Sequence, residues 1–209
     1  SLADTDDEDD EVVEVESEVV EEESTTTENT LIQPASDAKS VAQLYERFEE
    51  MKSEILDLNA DTQEIGGNRF IKKSGWRKIA TAFNVSVEVV DKEREIRDGV
   101  LTWKVTARAS APNGKMVDSI GTCASNESNH MEHIADNIQQ LRSHDTYSED
   151  DRDIMKVDGR WRRLRSTRAV KEHDILATAE TRAKNRAISD LVGGGEVSVE
   201  EIDNTDLIG

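Results

Sequence analysis

The sequence lacks most of the devices that would assign it a chemistry. It holds one cysteine, Cys123, so no disulfide can close within the chain, and a reducing cytoplasm fits. No apolar run approaches the roughly 18 residues of a membrane-spanning helix. The first residues are acidic where a secretory signal would be basic, so a soluble, intracellular protein is expected. There is no GxxxxGK[ST] phosphate loop, which removes local support for an ATP-driven motor. Only four histidines occur, and none lies in a recognisable nucleophile motif. Cys123, His130, His133 and His144 match no strong zinc spacing. Neither a catalytic centre nor a cofactor is expected, and the chain does not read as an enzyme.

Charge is plentiful and uneven. The formal net charge is −20, yet residues 1–30 hold 14 Asp or Glu and no Lys or Arg. Residues 69–190 hold 23 Lys or Arg against 19 Asp or Glu, so the globular part is mildly basic. The bulk charge therefore does not exclude nucleic acid, because the local field decides. Acidity of this kind also keeps surfaces hydrated in proteins of salt-loving organisms.

Residues 1–36 read as a disordered acidic tail with no aromatic residue, either solubilising or competing for a basic groove and docking a recombination or replication partner. Residues 37–60 read as an amphipathic helix capped by Asp37 or Ser40. Val41, Leu44, Phe48, Met51, Ile55 and Leu58 form its seam, which can pack on its own domain or pair between subunits. Residues 61–68 read as a linker, and 74–82 as a short helix carrying Trp76, Arg77 and Lys78. Three strands follow, about 83–94, 100–109 and 115–122, joined by Asp98–Gly99 and Pro112–Asn113–Gly114 turns into an antiparallel meander. On the middle strand Leu101, Trp103, Val105, Ala107 and Ala109 face a core, while Lys104 and Arg108 lie on a wet, cationic face.

Residues 126–145 show helical spacing at Met131, Ile134, Ile138 and Leu141, and 146–159 read as a loop. Residues 152–171 carry eight cations against Asp153 and Asp158, with Trp161 among them. Cations interleaved with an aromatic suit a single strand, the cations meeting phosphates and the ring stacking on a base. A basic loop that neutralises acidic neighbours is the plainer alternative. A long helix over 173–196, with Asp174 as its cap, carries a stripe of Ala179, Ala183, Ala187 and Leu191 that can dock on a sheet. Arg182, Lys184, Asn185 and Arg186 stand off that stripe. Residues 196–209 read as an acidic C-terminal tail.

In order, SGWRKIATAFNVSVEVV (74–90), APNGK (111–115), SIGTCASNE (119–127) and ATAETRAKNRAISDLVG (177–193) resemble the single-strand annealing proteins of the Rad-fifty-two superfamily, with their phage and archaeal relatives. The likeness spans roughly residues 69–195. It implies an α+β domain, a three-stranded antiparallel meander packed against a long C-terminal helix. It implies ATP-independent annealing of complementary single-stranded DNA in recombination and repair, by a homo-oligomeric ring with DNA in a positive groove. A cytoplasmic, nucleoid-associated protein of an archaeon, a prokaryote or one of their viruses follows. By position the resemblance puts DNA contacts at Lys72, Lys73, Arg77 and Lys78, at Arg182, Lys184 and Arg186, and less strongly at Lys104 and Arg108. The basic segment adds Arg160, Trp161, Arg162, Arg163 and Arg165. An assembly protein without catalysis and a metal-dependent nuclease are the competing readings.

Overall fold

The computed structural model describes residues 36–193 and 198–201. Of the expected acidic tails, 1–36 and 196–209, only Ser36 and residues 198–201 are among the described residues. The chain divides between Leu44 and Tyr45 into two units, and everything that positions the candidate site belongs to the second. Among the described residues no helix is long and apolar enough to cross a membrane.

Helix α1 (Ala38–Ile55) starts at Asp37, whose Oδ1 accepts from the Lys39 and Ser40 amides, both at 3.0 Å. Farther along, Phe48 is buried and Met51 and Ile55 pack beside it in a cluster with Ile71, Trp76, Ile79, Ala80 and Ile188. The expected linker at 61–68 is instead half of a hairpin, β1 (Thr62–Ile65) with β2 (Asn68–Ile71). Gly66 and Gly67, with φ of 58° and 82°, make the two-residue turn that left-handed backbone requires. Helix α2 (Lys73–Ala82) follows at once, with Trp76 and Ile79 fully buried.

The meander is present: β3 (Ser86–Arg97), β4 (Val100–Ser110) and β5 (Met116–Ala124), all antiparallel in the order β3-β4-β5. Asp98 (φ 51°) and Gly99 (φ 78°) form the turn that joins the first two strands. Period-two alternation sends Leu101, Val105, Ala107 and Ala109 to complete burial, as the spacing requires.

Helix α4 (Glu172–Val192) packs along that inner face through Ile175, Ala179, Ala183 and Ala187, each fully buried. Its N-cap is Lys171 and makes no side-chain cap hydrogen bond; Asp174 falls in the first turn, so the expected Asp174 cap is corrected. Small residues let the helix approach until Gly121 of β5 touches its backbone. A Cβ on Gly121 would stand 2.5 Å from the Ala179 carbonyl oxygen and 2.9 Å from the Ala183 Cα.

The segment 126–163 departs most from expectation. It contains no long helix but a second sheet, of order β6-β8-β7, from β6 (Glu132–Ala135), β7 (Ile154–Val157) and β8 (Arg160–Arg163), plus one helical turn and a half, α3 (Ile138–Arg142); the expected loop is present up to residue 153, and the strands β7 and β8 replace the rest. Asp158 and Gly159 repeat the Asp–Gly turn of the first sheet, with φ of 51° and 74°. The basic run is therefore strand and hairpin over much of its length.

Candidate nucleic-acid interface

Helix geometry separates the cations that sequence reading grouped together. At 100° per residue, Arg182 and Arg186 lie about 40° apart on α4, and Lys184 lies on nearly the opposite side of them. They serve different surfaces.

Arg182 and Arg186 turn to β5. Arg182 Nη1 donates to the Thr122 carbonyl at 2.6 Å, and Arg186 Nη1 donates to the Ile120 carbonyl at 2.8 Å. Arg182 also grips Glu127 with two hydrogen bonds of 2.8 and 2.7 Å, and both side chains are mostly buried (12 % and 18 % exposed). Its Nε donates to the Glu200 carbonyl. Burial pushes the Glu127 carboxyl up, but the Arg182 guanidinium and the Ala124 amide outweigh it and hold it below the ordinary range. Arg182 is thus an anchor of the fold, committed to internal partners. Its geometry does not place it in a shared groove with Lys184.

Lys184 turns to α2. On α4 the residues Ala177, Glu180, Thr181, Lys184, Asn185 and Ile188 form one face; on α2, Lys73, Arg77, Ala80 and Thr81 form another. These faces, with Val85 just before β3 and Val87 at its start, line an open groove of about 520 Å³. Three cations converge there, Lys73, Arg77 and Lys184. The acid among them, Glu180, is held by Lys92 of β3 and lies 3.8 Å from Lys184. The Lys92 contact draws the Glu180 carboxyl below its usual range, so it is ionised and largely neutralised in place. Thr81, Thr181 and Asn185 supply polar groups, and no aromatic ring is among the lining side chains.

The other two cations of the Gly-Trp turn sit beside this groove with partners of their own. Lys78 Nζ meets the buried Asp61 carboxylate at 2.5 Å, and Lys72 Nζ reaches the Asn59 carbonyl at 3.4 Å. Lys78, with Ser74 and the Asp57 amide, draws the Asp61 pKa down to about 2.

The outer face of the meander is a correction. Lys104 and Arg108 are there, but Glu88, Asp91, Glu93 and Glu95 of β3 share that face by register, as does Asp118 of β5. Lys104 pairs with Glu93 at 3.0 Å and Arg108 is bidentate to Asp118 at 2.7 Å. The face carries more carboxylates than cations and repels phosphate, so the expected cationic surface is absent from it.

The basic strand β8 is partly spent as well. Arg162 Nη1 donates to the Ser128 carbonyl at 2.8 Å, and Arg163 is bound by Thr146 and Asp151. Arg160 is exposed 3.5 Å from Asp136, Arg165 is exposed, and Trp161 is half-buried beside Lys156. Arg160 and Trp161 lie on a different sheet from the groove, and Arg165 follows that sheet's strand β8.

The imagined zinc ligands do not converge. Cys123 Sγ lies 3.3 Å from His130 Nε2, His133 pairs with Asp136 and His144 with Thr146. The Cys123 thiol is pushed up to about 12 by burial, with Glu127 adding to it. Among the described residues no group of three or more His, Cys, Asp or Glu side chains is placed to hold a metal ion.

Sequence reading missed Thr81, Thr181 and Glu180 as parts of the groove. The signal for Thr81 was the i, i+4, i+8 spacing of Lys73, Arg77 and Thr81, which puts all three on one helical face. The chain matches no protein-family model and no curated protein.

Proposed function

We propose that this protein binds single-stranded DNA by its phosphodiester backbone in the groove between α2 and α4, and anneals complementary strands without ATP. The observation that carries the reading is the convergence of Lys73, Arg77 and Lys184, from two helices, on one open groove. Clustered cations there neutralise successive phosphates and release condensed counterions, the main drive for strand binding. The lining offers no ring on which a base could stack. A strand held by its backbone alone keeps its pairing edges free, which is what annealing needs. The order of motifs shared with single-strand annealing proteins supports the same reading. Arg160 on the second sheet and Arg165 just beyond its strand β8 are candidates for contacts to a longer strand. Oligomerisation into a ring belongs to the same proposal, as does a place in recombination and repair.

The test is a salt titration of binding to a labelled oligonucleotide, for the native chain and for Lys73→Glu, Arg77→Glu and Lys184→Glu. Each reversal is expected to weaken binding by about tenfold and to flatten the plot of log K against log salt by roughly 0.7 per lost phosphate contact. Lys104→Glu, on the acidic outer face, should change neither. Absence of strand binding at low salt would end the proposal, and magnesium-dependent cleavage in place of annealing would point to a nuclease.

A further inference from the structure

One carboxylate of the chain itself bridges a residue of each wall at the edge of the groove. Glu200 lies in a short 3-10 turn, Val199–Glu201, that follows Ser198, and Ser198 pairs in parallel with Ile71 at the end of β2. The Glu200 Oε1 accepts from the Lys73 backbone amide at 2.8 Å, and Oε2 accepts from Asn185 Nδ2 at 3.0 Å. Lys73 and Asn185 are both groove residues, one on each wall. The first turn of α2 has no side-chain cap of its own, so Glu200 fills that role from 127 positions away. Asn185 is only 3 % exposed, and its amide is spent on the same carboxylate. Meanwhile Arg182 holds the Glu200 carbonyl, which keeps the segment in register over α4.

Both donors to this carboxylate are neutral N–H groups. Such donors serve a phosphate oxygen as well as a carboxylate oxygen. No exchange of protons or metal is needed for one anion to replace the other.

We propose that Glu200 is an autoinhibitory occupant of the groove, displaced by a backbone phosphate of the incoming strand. This rests on the strand-binding reading of the α2–α4 groove. In the unbound chain the segment 198–201 satisfies the groove's end and raises the threshold for binding. On binding, the phosphate takes the Lys73 and Asn185 donors and the carboxylate leaves toward solvent. The consequence is a protein that ignores weak or isolated anions and responds to a polyanion able to engage Lys73, Arg77 and Lys184 together.

The experiment compares the full chain with Glu200→Gln in strand-binding titrations across salt. Glu88→Gln, on the outer sheet face, controls for the loss of one negative charge. If Glu200 is an occupant, Glu200→Gln binds about tenfold tighter at every salt concentration, with the slope of log K against log salt unchanged, because the phosphate makes the same contacts in both bound states and only the competing carboxylate is gone. Glu88→Gln then does not tighten binding comparably. If Glu200 is only a clamp, Glu200→Gln melts lower and binds the strand equally or less well, and the proposal is overturned. Should the variant not fold, an NMR titration of the native chain decides. The Lys73 amide and the Asn185 side-chain amide must both shift as the oligonucleotide is added, and unmoved signals overturn the idea. Native binding lost in Lys184→Glu but unchanged in Glu200→Gln refutes the occupant alone. Absence of binding by both the native chain and Glu200→Gln refutes the groove as well.

Discussion

Substituting Gly121 by alanine should do more damage than a single methyl group usually does. An added Cβ would meet the Ala179 carbonyl oxygen at 2.5 Å and the Ala183 Cα at 2.9 Å, with the Ala183 amide nitrogen closer still. Ordinary van der Waals contact begins at 3.4 Å, so α4 must lift from β5 by nearly 1 Å at that point. The atoms met are backbone, so no rotamer change can relieve the clash. A gap of about 0.5–1 Å forfeits a quarter to a half of the dispersion energy along the seam, here the fully buried contacts of Ala179, Ala183 and Ala187. Overpacking of a well-packed core costs about 1–3 kcal/mol, and a rigid backbone on both sides places Gly121→Ala near the top of that range, about 3 kcal/mol. For a chain of this size that lowers Tm by roughly 6–12 °C. The reading also predicts a failed rescue. Trimming Ala183 to glycine removes none of the clashing atoms and adds about 1 kcal/mol of helix penalty, so Gly121→Ala/Ala183→Gly should melt below Gly121→Ala. Thermal unfolding followed by circular dichroism measures both. A Gly121→Ala melt near the native one, or recovery in the double variant, would refute the close-approach argument.

Two further outcomes follow from the same contacts. Arg182→Ala leaves the Glu127 carboxylate without its guanidinium in a mostly buried place, and should cost about 3 kcal/mol, whereas Lys184→Ala should stay within about 0.5 kcal/mol; thermal melts that rank them the other way would show that the α4 flanks are misassigned. The Asp61 carboxyl titrates near 2 in the folded chain against an ordinary 3.8, so its stabilisation is complete above pH 3.8 and is lost as pH falls toward 2. A plot of Tm against pH should therefore steepen in that window for the native chain and flatten for Asp61→Asn, and parallel curves would contradict it.

The parts of this fold that were legible in sequence are those with a long period or a turn with one solution. The alternation Leu101, Trp103, Val105, Ala107, Ala109 extends over nine residues, and Asp98–Gly99 admits only a hairpin, so the meander could be read with its faces. The alanine stripe of α4 repeats every four residues and ends at Gly193, a left-handed C-cap with φ 78°. Segment 126–163 was misread because β6, β7 and β8 have four residues each, too few to express a period. Met131, Ile134, Ile138 and Leu141 have helical spacing by coincidence, split between a turn, a strand and a one-turn helix. Asp158–Gly159 was nonetheless a hairpin signal of the same kind as Asp98–Gly99. At the candidate site, the sign of the charge was readable and its direction was not. Arg182 and Lys184 are two positions apart and face opposite ways, and the partners that settle their roles lie on β5 and α2. Nothing local marks Glu200, whose partner amide is at residue 73.

The guanidinium groups of Arg182 and Arg186 also bear on symmetry. They occupy the Thr122 and Ile120 carbonyls of β5, a strand that pairs with β4 on its other side, so one border of the meander is stoppered by side chains. The opposite border, β3, projects Glu88, Asp91, Glu93 and Glu95 from one face, and two such strands laid together would set like charges across from each other. Among the described residues, head-to-tail propagation of the meander from copy to copy would need the β5 border as one of its two open edges, and Arg182 and Arg186 hold two carbonyls there. A ring that left the β5 border closed in this way would be mortared by side chains there rather than by a shared ladder of backbone hydrogen bonds. Its interfaces would then loosen with salt or substitution one contact at a time.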